Sequence, residues 1–177
     1  ENSRYSFELK YEDEKELIAV TDKSSGESFI IPEETFVDES YSIMSIYPTE
    51  NYLYYMKGRN SGVSIYRIKL SDMTREEIRK SSDTADKSIL GLTFSWSDTE
   101  NRFSAVRLFT DEKNIYLIDK NGMVFVLNPF AEKITDCTCI IEESVLGGCI
   151  FDGKAIYYID EDGVQKMYNV VNKTFRI

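Results

Sequence analysis

The chain has 177 residues, 42% of them hydrophobic and 29% charged, with 12 Tyr, 10 Phe and 3 Pro; this is the composition of a single globular domain, too apolar for disorder and able to bury roughly 70% of the surface its unfolded form exposes. It contains no histidine, which excludes Ser-His-Asp and Cys-His nucleophile activation as usually built, the zinc-protease motif and the common haem and copper ligation. The net charge of −10 has the wrong sign for tracking phosphates, so nucleic acid and anionic membrane surfaces are disfavoured as partners.

The charge is unevenly placed: residues 1–50 hold 13 acidic and 4 basic side chains, a net of −9, and the remainder hold 18 and 17. No run approaches the ~18 apolar residues of a membrane-spanning helix, so no membrane insertion is expected. Neither a P-loop nor a dinucleotide fingerprint occurs, and no cofactor is expected. The start at Glu1 rather than Met leads us to expect that a signal peptide, an anchor or a tag has been removed.

Along the chain, apolar runs, turns and second apolar runs recur as hairpins. The first unit, about 1–38, has a strand at Tyr5–Lys10, a hairpin at 16–31 whose turn holds Asp22 and Gly26, and a short edge piece at Phe36–Val37. The second, about 39–80, has Tyr41–Tyr47, a hairpin at 51–70 around Gly58 and Gly62, and Glu76–Arg79. An insertion at 81–102 follows. Its first half is polar, and an apolar patch then ends in the sole tryptophan, Trp96.

The third unit, about 103–137, has Phe103–Thr110, a hairpin at 114–128 and Lys133–Thr135. The fourth, about 145–177, has Val145–Phe151, a hairpin at 155–169 and Thr174–Ile177. These last two units are near copies. Asp111–Asn128 aligns without a gap on Asp152–Asn169, 41 residues later, with eight of eighteen positions identical. In Asp119-Lys-Asn-Gly122 and Asp160-Glu-Asp-Gly163 the Asp carboxylate can accept the N–H two residues on, and Gly supplies the positive φ that closes a type I turn with a bulge. The second of these resembles the start of a calcium loop but lacks the later acidic ligand, so turn chemistry is the reading and no metal site is assigned.

Ile115-Tyr-Leu-Ile118 and Ile156-Tyr-Tyr-Ile159 show no polar alternation, which implies burial on both faces, as in sheets stacked face to face. Ile115, Tyr116, Ile118, Ile156, Tyr157 and Ile159 are therefore expected in the core. The expected fold is all-β: a small or partial β-propeller of about four four-stranded antiparallel units, or a two-sheet sandwich. Cys137, Cys139 and Cys149 read as buried, inert thiols, with one disulfide through Cys149 as the alternative.

Asn114-Ile-Tyr-Leu-Ile-Asp-Lys-Asn-Gly122, Ala155-Ile-Tyr-Tyr-Ile-Asp-Glu-Asp-Gly163 and Ser64-Ile-Tyr-Arg-Ile-Lys-Leu70 resemble the blades of low-density-lipoprotein-receptor-like β-propellers, in particular bacterial extracellular propeller proteins of unassigned function. The receptor-type Tyr-Trp-Thr-Asp signature is absent, and four units fall short of six. Tyr54-Tyr-Met-Lys-Gly58 is also similar to the repeats of four-bladed hemopexin-like propellers. The resemblance implies a non-catalytic, secreted or cell-surface interaction domain.

The expected function is a non-enzymatic binding or sensing module at a bacterial cell surface, its ligand a protein or a glycan. A carbohydrate-active enzyme using two carboxyls about 5–9.5 Å apart is one alternative. A structural or assembly fragment of a longer propeller is another. The ligand-binding residues expected are Phe94, Trp96 and Arg102 in the insertion, because Trp and Arg combine large contact area with directional donors; the competing reading makes Ile89–Trp96 a core strand.

Overall fold

The computed structural model describes residues 2–12, 15–31, 42–59, 62–72, 74–79, 94–95, 102–103, 105–127, 138–145 and 148–177. Four antiparallel sheets follow one another along the chain, each with its strands in sequence order. Sheet 1 holds β1 (Tyr5–Glu12), β2 (Lys15–Asp22) and β3 (Ser28–Ile30). Sheet 2 holds β4 (Ser42–Pro48), β5 (Tyr52–Arg59), β6 (Gly62–Lys69) and β7 (Thr74–Arg79). A two-stranded ribbon, β8 (Phe94–Ser95) with β9 (Arg102–Phe103), precedes sheet 3. Sheet 3 holds β10 (Ala105–Thr110), β11 (Ile115–Asp119), β12 (Val124–Leu127) and β13 (Thr138–Ile141). Sheet 4 holds β14 (Cys149–Phe151), β15 (Ala155–Ile159), β16 (Gln165–Asn169) and β17 (Thr174–Arg176).

The four hairpins expected from the sequence are β2–β3, β5–β6, β11–β12 and β15–β16. Phe36–Val37 and Lys133–Thr135 lie outside the described residues; the strand that completes sheet 3 is β13, at Thr138–Ile141. The fold is thus an all-β domain of four small antiparallel sheets with three or four strands each.

The turns carry the chemistry their sequences announce. Asp119 Oδ1 accepts the N–H of Asn121 at 2.9 Å and of Met123 at 2.8 Å. Asp160 Oδ1 does the same for Asp162 at 3.0 Å and Val164 at 2.8 Å. Gly122 and Gly163 close the two turns at φ +87° and +80°, a region in which a Cβ is penalised.

The sheets pack in series through three apolar clusters. Ile18 and Val20 of sheet 1 meet Leu53, Tyr55 and Ile68 of sheet 2. The other face of sheet 2, with Tyr54, Met56 and Ile65, meets Leu108, Ile115, Leu117 and Phe125 of sheet 3. The far face of sheet 3, with Phe109, Tyr116, Ile118 and Val124, meets Ile156, Tyr158 and Tyr168 of sheet 4. Every residue of β11 is consequently buried, as a strand without polar alternation requires.

The first strands of sheets 2, 3 and 4 also converge. Tyr47 lies 6.4 Å from Phe109 and 6.5 Å from Phe151 between ring centroids, and Phe109 and Phe151 stack at 4.9 Å. The Leu108 N–H of β10 donates to Ser45 Oγ of β4 at 3.2 Å.

Sheet 4 departs from the sequence expectation. Ile156 is buried, but Tyr157 is 44% and Ile159 36% exposed. The cause is position in the series: sheet 3 has a neighbour on each face, whereas among the described residues sheet 4 is covered on one face only. An apolar strand reports what the repeat is built to bury, whereas exposure is set by the sheets that pack against it.

Candidate binding face on the fourth sheet

The register of sheet 4 aligns one row of side chains across all four strands on the uncovered face. Ile150 pairs with Tyr157, Tyr157 with Met167, and Met167 with Arg176. A second row runs from Gly148, whose carbonyl accepts the Ile159 N–H at 3.1 Å, through Ile159 to Gln165. Gly148 has no side chain, so the second row is low at that end. The two rows line an open groove of 580 Å³ with Ile177 at its margin. Ile150, at 70% exposure, stands above it.

Two charges flank the apolar row. At the β14 side, Asp152 lies two residues beyond Ile150 and shares its face; its Oδ2 accepts the Tyr157 hydroxyl at 3.1 Å, and its Oδ1 accepts the N–H groups of Lys154 and Ala155 at 2.8 and 2.7 Å. Partial burial pushes the Asp152 carboxyl upward, but these hydrogen bonds outweigh it and hold it below its ordinary value. At the β17 side stands Arg176.

The opposite face of the sheet is closed by a polar lock. Lys166 Nζ donates to Asp160 Oδ2 at 2.8 Å and to Glu143 Oε2, while Glu143 Oε1 accepts the Tyr158 hydroxyl. Hydrogen bonds from Lys166 are the leading cause that lowers both carboxyls, and the two carboxylates raise the Lys166 ammonium. The Lys166 charge is therefore engaged by Glu143 and Asp160.

Cys139 and Cys149 are free thiols, half-buried, and burial pushes each up to about 11, far from the thiolate form a nucleophile needs. Asp22, Asp111, Asp119, Asp152 and Asp160 each accept backbone N–H groups of their own turns. Among the described residues no group of three acidic or cysteine side chains is placed to hold a metal ion. What the face offers is apolar area with one acid and one base at its two sides.

Of the residues expected to bind ligand, Phe94 lies in β8 and Arg102 in β9, and the ribbon pairs Ser95 with Arg102; Trp96 lies outside the described residues. Sequence reasoning missed the groove because Ile156-Tyr-Tyr-Ile159 looks like its buried counterpart. A signal was present in the next strand: Val124-Phe-Val-Leu127 of sheet 3 is matched by Gln165-Lys-Met-Tyr168, which marks the fourth hairpin as wetter.

No family model and no curated protein matches the chain. Among solved structures it is similar to one in a nidogen/laminin complex, with TM-score 0.52 and 12% identity over 91% of this chain and 54% of that one. It is also similar to a protein of unknown function from Bacteroides thetaiotaomicron, with TM-score 0.57 and 13% identity over 98% of this chain and 44% of that one. A third, TolB from Acinetobacter baumannii, has TM-score 0.45 and 15% identity over 98% of this chain and 51% of that one. The chain spans about half the length of these structures, and at such identities the likeness concerns the fold. It is a small, mostly β, repeat-built domain.

Proposed function

We propose that the chain is a non-catalytic binding or sensing module, exported to a bacterial cell surface and built as a partial β-propeller. The observation that carries the reading is the contrast between its two kinds of surface chemistry. Asp22, Asp111, Asp119, Asp152 and Asp160 are tied to the backbones of their own turns, whereas sheet 4 leaves Ile150 and Tyr157 exposed beside an open groove. Exposed contiguous apolar area rimmed by polar groups marks interaction sites. The convergence of Tyr47, Phe109 and Phe151 supports sheets arranged around a common axis, and the nidogen/laminin structure offers a similar fold in contact with another protein.

A protein partner is favoured over a glycan, because the groove is lined mainly by Ile, Tyr and Met with few hydrogen-bonding groups. The insertion around Phe94, Trp96 and Arg102 is proposed as a separate contact region. Binding arrays of surface proteins and glycans, probed with wild type and Ile150→Glu, test the reading. It predicts a protein ligand lost in the variant; equal signals for both, or binding of glycans alone, would contradict it.

The structural or assembly reading is favoured by the same face. A sheet whose repeat equivalents are covered is suited to docking against another sheet.

A further inference from the structure

Asn121–Gly122 is the one Asn-Gly pair in the sequence, and it sits in the turn that joins β11 to β12. An asparagine followed by glycine can modify itself. Gly has no Cβ, so its backbone nitrogen can close on the side-chain carbonyl carbon before it. Here the Gly122 nitrogen would bond to Asn121 Cγ, its proton and the Nδ2 group would leave together as ammonia, and a five-membered cyclic imide would remain. Water then opens the imide at one carbonyl or the other, giving an aspartyl or a β-linked isoaspartyl residue. Water is the only co-reactant, and nothing is oxidised or reduced.

Asn121 is exposed, so water reaches it. The aspartyl product also fits. The same place in the fourth hairpin is Asp162, whose N–H donates to Asp160 Oδ1 at 3.0 Å as the Asn121 N–H donates to Asp119 Oδ1 at 2.9 Å. The turn therefore accommodates a carboxylate at this point.

The reacting groups are nevertheless held apart. Ring closure requires rotation about the Asn121 Cα–C bond, which swings Gly122 towards the side chain. Three hydrogen bonds oppose that swing. The Gly122 N–H donates to the Asp119 carbonyl at 3.0 Å, Asn121 Nδ2 donates to Asp119 Oδ2 at 3.2 Å, and the Gly122 carbonyl accepts the Val145 N–H at 3.0 Å. The first two lie within the turn, and the third comes from the connection between sheets 3 and 4. The backbone of that connection also lies close over Gly122: a Cβ built there would fall 2.9 Å from Ser144 Cα and from Val145 N.

The connection is pinned in turn from sheet 4. Glu143 accepts from Lys166 Nζ and from the Tyr158 hydroxyl, and Val145, 1% exposed, packs with Ile156 and Tyr158. Opening of residues 143–145 can therefore free Gly122 while the sheets on either side stay folded. Local openings of this kind need less free energy than global unfolding.

We propose that Asn121 is a self-modification site, deamidated through a cyclic imide with Gly122, and that Glu143–Val145 is the clamp that sets its rate. The modified turn carries one more negative charge beside Asp119 and keeps a chemical record of how often the clamp has opened.

Peptide mapping by mass spectrometry tests this on the full 177-residue chain, incubated folded in mildly alkaline buffer. It follows loss of the Asn121 amide and separates the aspartyl from the isoaspartyl peptide. The reaction should be fastest in urea and at least roughly tenfold slower in the folded wild type. Lys166→Met and Glu143→Ala, each of which removes a pin, should raise the folded-state rate at least about threefold. Ile68→Val, in the cluster between sheets 1 and 2, lowers overall stability and should leave the rate at the wild-type value. Circular dichroism should show the variants folded; should one pin variant not fold, the other decides. Equal rates in folded and urea-unfolded wild type would overturn the proposal, as would an intact amide in urea. A folded pin variant that reacts no faster than wild type would also overturn it. So would an acceleration in Ile68→Val that matches the pin variants, because it would assign the reaction to global unfolding.

Discussion

Tyr116 and Tyr157 stand at the same place in the repeat and make the same bond. Each donates its hydroxyl to the aspartate five residues earlier, Tyr116 to Asp111 at 3.0 Å and Tyr157 to Asp152 at 3.1 Å. One is 3% exposed and the other 44%. Local sequence has fixed the local bond, and position in the series of sheets has fixed the burial. Tyr116→Phe should accordingly cost about 0.5–1.5 kcal/mol, the net worth of a largely sheltered hydrogen bond, and Tyr157→Phe less than about 0.5 kcal/mol. Urea unfolding of the two variants checks the order.

The two faces of β15 make a second comparison. Ile156 is fully buried against sheet 3 and Ile159 is 36% exposed on the groove. Ile156→Ala should cost about 2–5 kcal/mol through lost burial and a residual cavity. Ile159→Ala should cost about 1 kcal/mol or less in the monomer. Equal losses in chemical denaturation would mean that both faces are covered.

Much of this was legible beforehand. The hairpins at 114–128 and 155–169 could be read because their turns announce themselves: an Asp that caps the loop and a Gly that needs positive φ are local requirements. Burial of Ile115, Tyr116 and Ile118 followed from the unbroken apolar run. The exposure of Tyr157 and Ile159 did not, since it depends on which sheets among the described residues pack over the strand, and that leaves no mark in the strand itself. Phe94, Trp96 and Arg102 are expected to bind because an insertion breaks the repeat there; the groove is a separate feature, on the outer face of sheet 4.

Gly122 and Gly163 separate backbone strain from crowding. Both have positive φ, but a Cβ on Gly122 would lie 2.9 Å from Ser144 Cα and from Val145 N, whereas one on Gly163 would meet nothing within 4 Å. Gly163→Ala should cost roughly 1–2 kcal/mol from the left-handed conformation alone. Gly122→Ala should cost a further 1–3 kcal/mol, because the segment at Ser144 and Val145 must move away. Thermal melts of both would show the gap, and equal losses would place that segment elsewhere.

The Glu143–Lys166–Asp160 lock has a pH signature. Both carboxyls are held below their ordinary values, chiefly by hydrogen bonds from Lys166. The stability they contribute is therefore present above the ordinary carboxylate range, near pH 4, and is lost as pH falls through the lowered values. Wild type should lose more of its melting temperature than Lys166→Met between about pH 6 and pH 3, so that the two curves converge in acid. Parallel curves would mean that the lock contributes nothing.

Burial of the thiols can be read chemically. With Cys139 and Cys149 pushed up to about 11, their thiolate fraction near pH 8 falls roughly two orders of magnitude below that of an ordinary cysteine. In a Cys137→Ser background, reaction with iodoacetamide should be slow in the folded protein and fast in urea.

The central claim is that sheet 4 carries the uncovered copy of a face that sheet 3 buries. Hydroxyl-radical footprinting read by mass spectrometry, on chain diluted below any self-association, measures this side chain by side chain. The account predicts rapid oxidation at Ile150 and Tyr157 and protection at their repeat partners Phe109 and Tyr116. Equal protection of Tyr116 and Tyr157 in the dilute monomer would contradict it.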